Sequence, residues 1–238
     1  MNSKPLVLFF YVLLFLFPVY AQQLNNEKAT TVKENVDKTQ NPFEKEILAF
    51  EHQDSLQFPP KQAVLFVGSS SIRLWKTLAD DFPELQVINR GFGGSKTADV
   101  LYYFDRIVKP YQPKTIVYFT GTNDLAGNIA PQQVVDNVEE FIKRVGGLFP
   151  ETNIVVLSNT IAVSRKHLRD SYLETNRILQ VMLRKYPKAD FLDVTTPGLK
   201  PDGWPRPEIY GTDSLHLNAT GYQMWKNLLR PVLLGNKQ

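Results

Sequence analysis

Five short apolar runs rich in β-branched residues recur along the chain, at residues 63–67, 86–89, 115–120, 153–159 and 189–193. Each is followed by a longer stretch with the roughly 3.6-residue periodicity of a helix, most clearly at 131–148 and 167–185. Strands this apolar cannot leave a face to water, and the interleaved helices can cover both faces. The pattern predicts an α/β fold: three layers, doubly wound, around a mostly parallel five-stranded sheet. In such sheets ligands sit beyond the carboxyl ends of the strands, where the strand order reverses.

The strand ends carry the distinctive residues. "GSSS" follows the first run, "NRGFGGSKT" the second and "GTND" the third, and the segment "VTTPGLKPDGWPRPEIYGTDSLHLNATGYQMW" follows the fifth. Connections of that length are uncommon in compact domains unless they serve a function. Two phosphate-binding signatures fail here. A Walker loop needs Gly directly before Lys-Thr, where this chain has Ser95, and "GFGGSK" does not fit G-x-G-x-x-G. The elbow G-x-S-x-G is absent too, because Ser70 is followed by Ser71 and Ile72. A nucleophilic serine would have to occupy a different turn.

Acidic and basic residues are interspersed and the formal charge is only +3, so no basic stripe exists to neutralise a row of phosphates, and nucleic-acid binding is not expected. The chain has no Cys, which removes disulfides, cysteine lipidation and thiolate metal sites together. Near the start, Lys4 precedes an apolar run of about a dozen residues, with Val19 and Ala21 at a small-residue cleavage site. This predicts a signal peptide over 1–21, cleaved after Ala21, and a secreted or periplasmic protein. A retained membrane anchor is the competing reading, disfavoured because a spanning helix needs roughly 20 apolar residues. Residues 22–40 are polar and read as a flexible linker. The domain is then 41–238, opening with an amphipathic helix that packs through Phe43, Ile47, Leu48 and Phe50 behind Asn41 as cap and Pro42 at its first position.

A nucleophilic serine needs a base, and the chain offers His52, His167 and His216. His52 falls in the first helix and His167 in the charged "SRKHLRD", where a solvated imidazole is expected. His216 is preceded by Asp213 in "DSLH". In a turn or helix start that spacing sets the two side chains about 5–6 Å apart at Cβ. The carboxylate can then fix the imidazole tautomer and leave its other nitrogen to take a serine proton. Acyl transfer also needs donors to an oxyanion, each worth about 3–4 kcal/mol. Gly94, which has no Cβ, and the Asn123 amide are placed to supply them, although a tight turn and an Asx turn explain either residue alone.

Taken in order, Ser in "GSSS", Gly in "NRGFGGS", Asn in "GTND" and His in "DSLH" resemble the four blocks of the SGNH, or GDSL-type, esterase and lipase superfamily, over residues 63–225. The likeness is to secreted bacterial members with a helix before the first block. It implies a flavodoxin-like SGNH hydrolase fold, Ser70 as nucleophile, and Asp213 and His216 completing the triad. It also implies an oxyanion hole of Ser70 N–H, Gly94 N–H and Asn123, with Gly93 as fallback for Gly94. The family usually has Asp where this chain has Ser69.

These residues together predict a secreted serine esterase acting through an acyl-enzyme. The substrate class is a short acyl ester, acetyl above all, on a carbohydrate or other small alcohol, since no large apolar insertion suggests a lid. No cofactor or metal is required. Arg165, with Ser164, and Arg206, with Trp204 and Tyr210, are candidate substrate contacts; a surface Arg and packing aromatics are the plainer alternative. Acyl transfer to a sugar hydroxyl, a lysophospholipase or thioesterase-like activity, and a non-catalytic carbohydrate-binding module are the rival functions. The oligomeric state is not legible.

Overall fold

The computed structural model describes residues 41–235; the expected signal peptide and linker lie outside the described residues. The chain divides into two compact units, Met1–Lys45 and Glu46–Gln238. The described part of the first is a turn, where Asn41 Oδ1 accepts from the Phe43 N–H at 3.1 Å, and the first residues of α1 (Glu44–Leu56). The second holds the remainder of α1 and the whole α/β body.

Strands β1 (Val64–Gly68), β2 (Val87–Gly91), β3 (Thr115–Phe119), β4 (Asn153–Leu157) and β5 (Ala189–Leu192) form one sheet in the order β2-β1-β3-β4-β5. Every pairing is parallel. The expected doubly wound sheet is therefore present and wholly parallel, in the flavodoxin-like order. The chain runs outward from β1 to β2 and then crosses back to β3, so the switch point lies beyond the carboxyl ends of β1 and β3.

The helices that follow are α2 (Ser70–Arg73), α3 (Leu78–Asp81), α4 (Thr97–Tyr102), α5 (Phe104–Ile107), α6 (Thr122–Ala126), α7 (Pro131–Leu148), α8 (Arg169–Leu183) and α9 (Ala219–Leu233). Consecutive residues of β3 feed opposite layers. Tyr118 packs 4.4 Å from Phe141 of α7, and Phe119 packs 4.8 Å from Trp225 of α9, between ring centroids. That two-sided cover is why the strand runs contain so few polar positions. The layer that carries α2 and α9 centres on Phe66, Trp75, Phe119 and Trp225, all fully buried.

Two elements depart from expectation. α1 buries Ile47 and half-buries Phe50 as expected, but Leu48 is 52% exposed, so one of the residues read as packing faces outward. Carboxylates add to that grip: Glu51 binds Arg106 at 2.6 Å, and Asp54 binds Arg90, whose guanidinium lies over the Phe50 and Tyr111 rings. The helix expected over 167–185 begins at Arg169, because residues Val163–Leu168 form 3-10 turns broken at Arg165 (φ −115°, ψ 18°). There the Ser164 N–H leaves the helix path and donates to Ser214 O at 2.9 Å.

The long segment after β5 is folded. It makes 3-10 turns at Thr196–Gly198 and Pro207–Ile209 and bridges Leu199 to Pro205 and Tyr210 to Leu217. α9 then starts behind Asn218, whose Oδ1 accepts from the Gly221 N–H at 3.1 Å.

Candidate active site

β1 delivers the first group. It ends at Gly68, where a Cβ would stand 2.0 Å from Phe119 O, so only glycine lets β1 and β3 close at this point. The Ser69 N–H donates to that same carbonyl at 3.1 Å, and the chain turns directly into α2. Ser69 occupies the N-cap position but its side chain makes no capping bond; its carbonyl accepts from Ile72 and Arg73 instead. α2 is a single turn, too short to sum peptide dipoles, so what its start offers a developing anion is the local N–H of Ser70. Gly91 of β2 lets α2 approach, since a Cβ there would meet Arg73 N at 2.4 Å.

The segment before α9 delivers the second and third. Asp213 Oδ1 accepts from the N–H groups of Leu215 and His216 at 2.9 and 3.0 Å, an Asx turn that winds the chain back on itself. Ser214 adopts a left-handed φ of 57° within it. Asp213 Oδ2 thereby reaches His216 Nδ1 at 2.6 Å, and His216 Nε2 lies 2.9 Å from Ser70 Oγ. The imidazole contact and the two N–H donors hold the Asp213 carboxyl down at about 2. An ionised carboxylate on Nδ1 keeps the proton there and leaves Nε2 to accept from the serine.

β2 and β3 deliver the donors. Gly94 has φ +80°, with open space where its Cβ would be, and its N–H has no partner among the described residues. The Gly93 N–H is already taken by the Glu46 carboxylate, at 3.2 and 3.3 Å, which favours Gly94 over its fallback. Asn123 sits in the first turn of α6. One N–H of its amide donates to Ser95 O at 3.1 Å, and its Oδ1 accepts from Arg165 Nη1 at 3.0 Å, leaving one N–H free. Beside it the buried Asp124 accepts from Thr97 N–H and Oγ1–H and ties α6 to α4; burial pushes its carboxyl up.

Ser70, Asn123, Arg165 and His216 line one cleft with Phe119 and Leu215 as apolar walls. It offers about 20 Å3 to the centre of a water-sized sphere. A single water needs roughly 10–15 Å3 by that measure, so the enclosed part takes a group of a few heavy atoms. Gly94 does not line that enclosed space and is joined to it through Ser95. Arg206 is not brought there either: its Nε pairs with Glu208 at 2.8 Å and its Nη1 donates to Pro197 O. Tyr210 is buried and donates to Ile161 O, while Trp204 is 44% exposed with Arg169 over its ring. His52 and His167 are exposed and away from the cleft. Sequence reasoning missed Glu46, Ser95 and Asp124, whose partners lie 47, 28 and 27 residues away. Among the described residues no group of three or more His, Asp or Glu could hold a metal ion, and no helix is long and apolar enough to cross a membrane.

A parallel sheet of this order, with hydroxyl, imidazole and carboxylate meeting at its switch point, defines the class: a hydrolase of the SGNH fold. Comparison with known proteins carries this further. The family model for GDSL-like lipase/acylhydrolases matches residues 66–224. Subunit alpha1 of platelet-activating factor acetylhydrolase IB from Rattus norvegicus is 29% identical over 182 residues, 72% of this chain and 75% of the rat protein. Among solved structures, a Streptococcus pneumonia protein named for platelet activating factor superposes with a TM-score of 0.74 at 23% identity, covering 86% of this chain and 99% of that one. An acetyl xylan esterase from Geobacillus stearothermophilus superposes at 0.60 and 14% identity, covering 73% and 96%. The chain belongs to the GDSL-like lipase/acylhydrolase family and is a carboxylic ester hydrolase.

Proposed function

We propose that the protein is an exported serine esterase that removes acetyl-sized acyl groups from carbohydrate or other small alcohols through an acyl-enzyme on Ser70. The observation that carries this is the unbroken relay from Asp213 through His216 to Ser70 Oγ, at 2.6 and 2.9 Å, opening onto a cleft with room for few heavy atoms. His216 takes the Ser70 proton as Oγ attacks the ester carbonyl. The N–H groups of Ser70, Gly94 and Asn123 receive the oxyanion, and His216 returns the proton to the departing alkoxide. Water then enters by the reverse path and frees the acid. The acetyl preference is supported by the cleft volume and by the names of two similar proteins, an acetylhydrolase and an acetyl xylan esterase. Export is supported by the signal-peptide pattern read in the sequence of residues 1–21.

A p-nitrophenyl ester series of increasing acyl length tests the reading, followed by acetate release from acetylated glycans with acetylated acceptor measured in the same reaction. Acetate should be the preferred acyl group and Ser70→Ala should abolish turnover. Full turnover by Ser70→Ala would overturn the assignment, and faster cleavage of long-chain esters would move the substrate to lipids.

A further inference from the structure

Arg165 stands in the cleft wall as a candidate substrate contact, yet its nearest partners are the protein's own. Nη1 donates to Asn123 Oδ1 at 3.0 Å and to Thr122 O at 3.2 Å. No carboxylate pairs with it among the described residues. Its backbone is what aims it: the break in the 3-10 turns falls at Arg165 itself, and the preceding Ser164 N–H is fastened to Ser214, inside the Asp213–His216 turn. Arg165 thus spans from the turn that carries the base to the amide that faces the oxyanion.

An Asn side chain can be reversed about its last bond, exchanging O for NH2 at little intrinsic cost, and only its partners decide which end faces where. Here both partners vote the same way. Arg165 can only donate, and Ser95 O can only accept. Reversal would set two donors against each other at Arg165 and two oxygens against each other at Ser95. It would also replace the free N–H at the cleft with a lone pair. A cation on the amide oxygen further polarises the group and strengthens its N–H as a donor.

We propose that Arg165 is a positioning residue for Asn123: its guanidinium locks and polarises the amide so that the remaining N–H points at the developing oxyanion. The proposal rests on the role given above to Asn123. It separates Arg165 from substrate binding, because an interaction that matters only in the transition state changes kcat and kcat/KM together and leaves KM alone.

The test is a double-mutant cycle between Arg165→Met and Asn123→Ala with p-nitrophenyl acetate, alongside thermal melts. Removing a whole oxyanion donor costs about 10²–10³-fold in kcat, so losing its lock should cost about 10- to 100-fold with KM unchanged. On the Asn123→Ala background Arg165→Met should cost almost nothing further. Arg165→Lys, which keeps a charged donor, and free guanidinium added to Arg165→Ala should each restore part of kcat, the latter only while Asn123 is present. A rise in KM at constant kcat, or losses that multiply across the cycle, would overturn the proposal. If Arg165→Met does not fold, the Lys variant and the guanidinium rescue decide by the same criteria. An active Ser70→Ala would instead overturn the hydrolase reading, so the two failures are distinguishable.

Discussion

Replacing Glu46 by Ala should slow an ester hydrolase whose reacting groups Glu46 never touches. Its carboxylate accepts from the Gly93 N–H at 3.2 and 3.3 Å and pairs with Arg73 Nη1 at 3.5 Å. The Arg73 guanidinium lies against Gly93, where a Cβ would meet its carbon at 2.6 Å. Glu46 and Arg73 thus clasp the loop whose next residue, Gly94, offers its free N–H. A bond from N–H to a charged acceptor is worth about 1.5–3 kcal/mol, and the long, forked geometry here puts it at the lower end. The ion pair, with side chains 43% and 32% exposed, adds about 0–1 kcal/mol after screening. A loss of about 2 kcal/mol lowers Tm by roughly 4–8 °C in a domain of this size. If the same free energy favours the loop conformation that presents Gly94, its loss shifts that equilibrium by about 30-fold, and kcat should fall by up to that factor. Glu46→Gln keeps an acceptor and should fall between wild type and Ala. The assays are a thermal melt and kcat with p-nitrophenyl acetate. A lowered Tm with unchanged kcat would show that the clasp stabilises the fold without governing the Gly94 donor.

Three other perturbations follow from the same geometry. Asp213→Asn should lower kcat by about 10⁴-fold at a modest cost in stability, because the Asn side chain no longer fixes the proton on Nδ1 and the lost carboxylate, although half exposed, accepts from the imidazole and two backbone N–H groups. Because folding lowers the Asp213 pKa from an unfolded value of about 3.9, its contribution to stability is complete above that pH and is lost as pH falls through about 2. The stability difference between wild type and Asp213→Asn, followed by denaturant titration, should therefore be flat down to about pH 4 and shrink below it. Gly91→Ala would place a Cβ 2.4 Å from Arg73 N and 2.8 Å from Ile72 Cβ, which should cost about 1–3 kcal/mol by overpacking and displace the turn that carries Ser70. Equal losses of stability and activity in that variant, read by melts and ester turnover, would fit the displacement; full activity would argue against it.

What the sequence shows plainly is whatever repeats or lies close along the chain. The inner strands β1, β3 and β4 are legible because they are buried on both faces, so their apolar runs are nearly unbroken; the edge strands β2 and β5, which carry Asn89, Arg90 and Asp190, are legible from the alternation with helices, and α7 is legible because one face of eighteen consecutive residues is apolar. The Asp213–His216 pair is legible because three residues separate its members. α1 is only partly legible for the converse reason. Beyond Ile47 and Phe50 its grip comes from Glu46, Glu51 and Asp54, and a carboxylate that faces an N–H or a guanidinium looks, in one dimension, like a solvated surface residue. For Arg206 the plainer of the two sequence readings fits: in a long loop an unpaired cation suggests a ligand, but Glu208 two residues on already pairs with it.

The same distinction explains why the candidate site is half visible. Chemistry that needs a particular atom restricts residue type, so Ser70, His216 and Asn123 stand out as motifs. Holding those atoms in place can be done by any group with the right polarity at the right distance, and such groups leave no fixed spacing. Between Gly93 and Gly94 the sequence supplies two equivalent donors; what separates them is that one N–H is already bonded to Glu46, in α1, before any substrate arrives. For Asn123 the sequence supplies an amide with two ends, and Ser95 and Arg165, 28 and 42 residues away, decide which end is presented. The parallel sheet brings those distant groups to one edge, so the fold contributes to the chemistry by fixing directions that the motifs leave open.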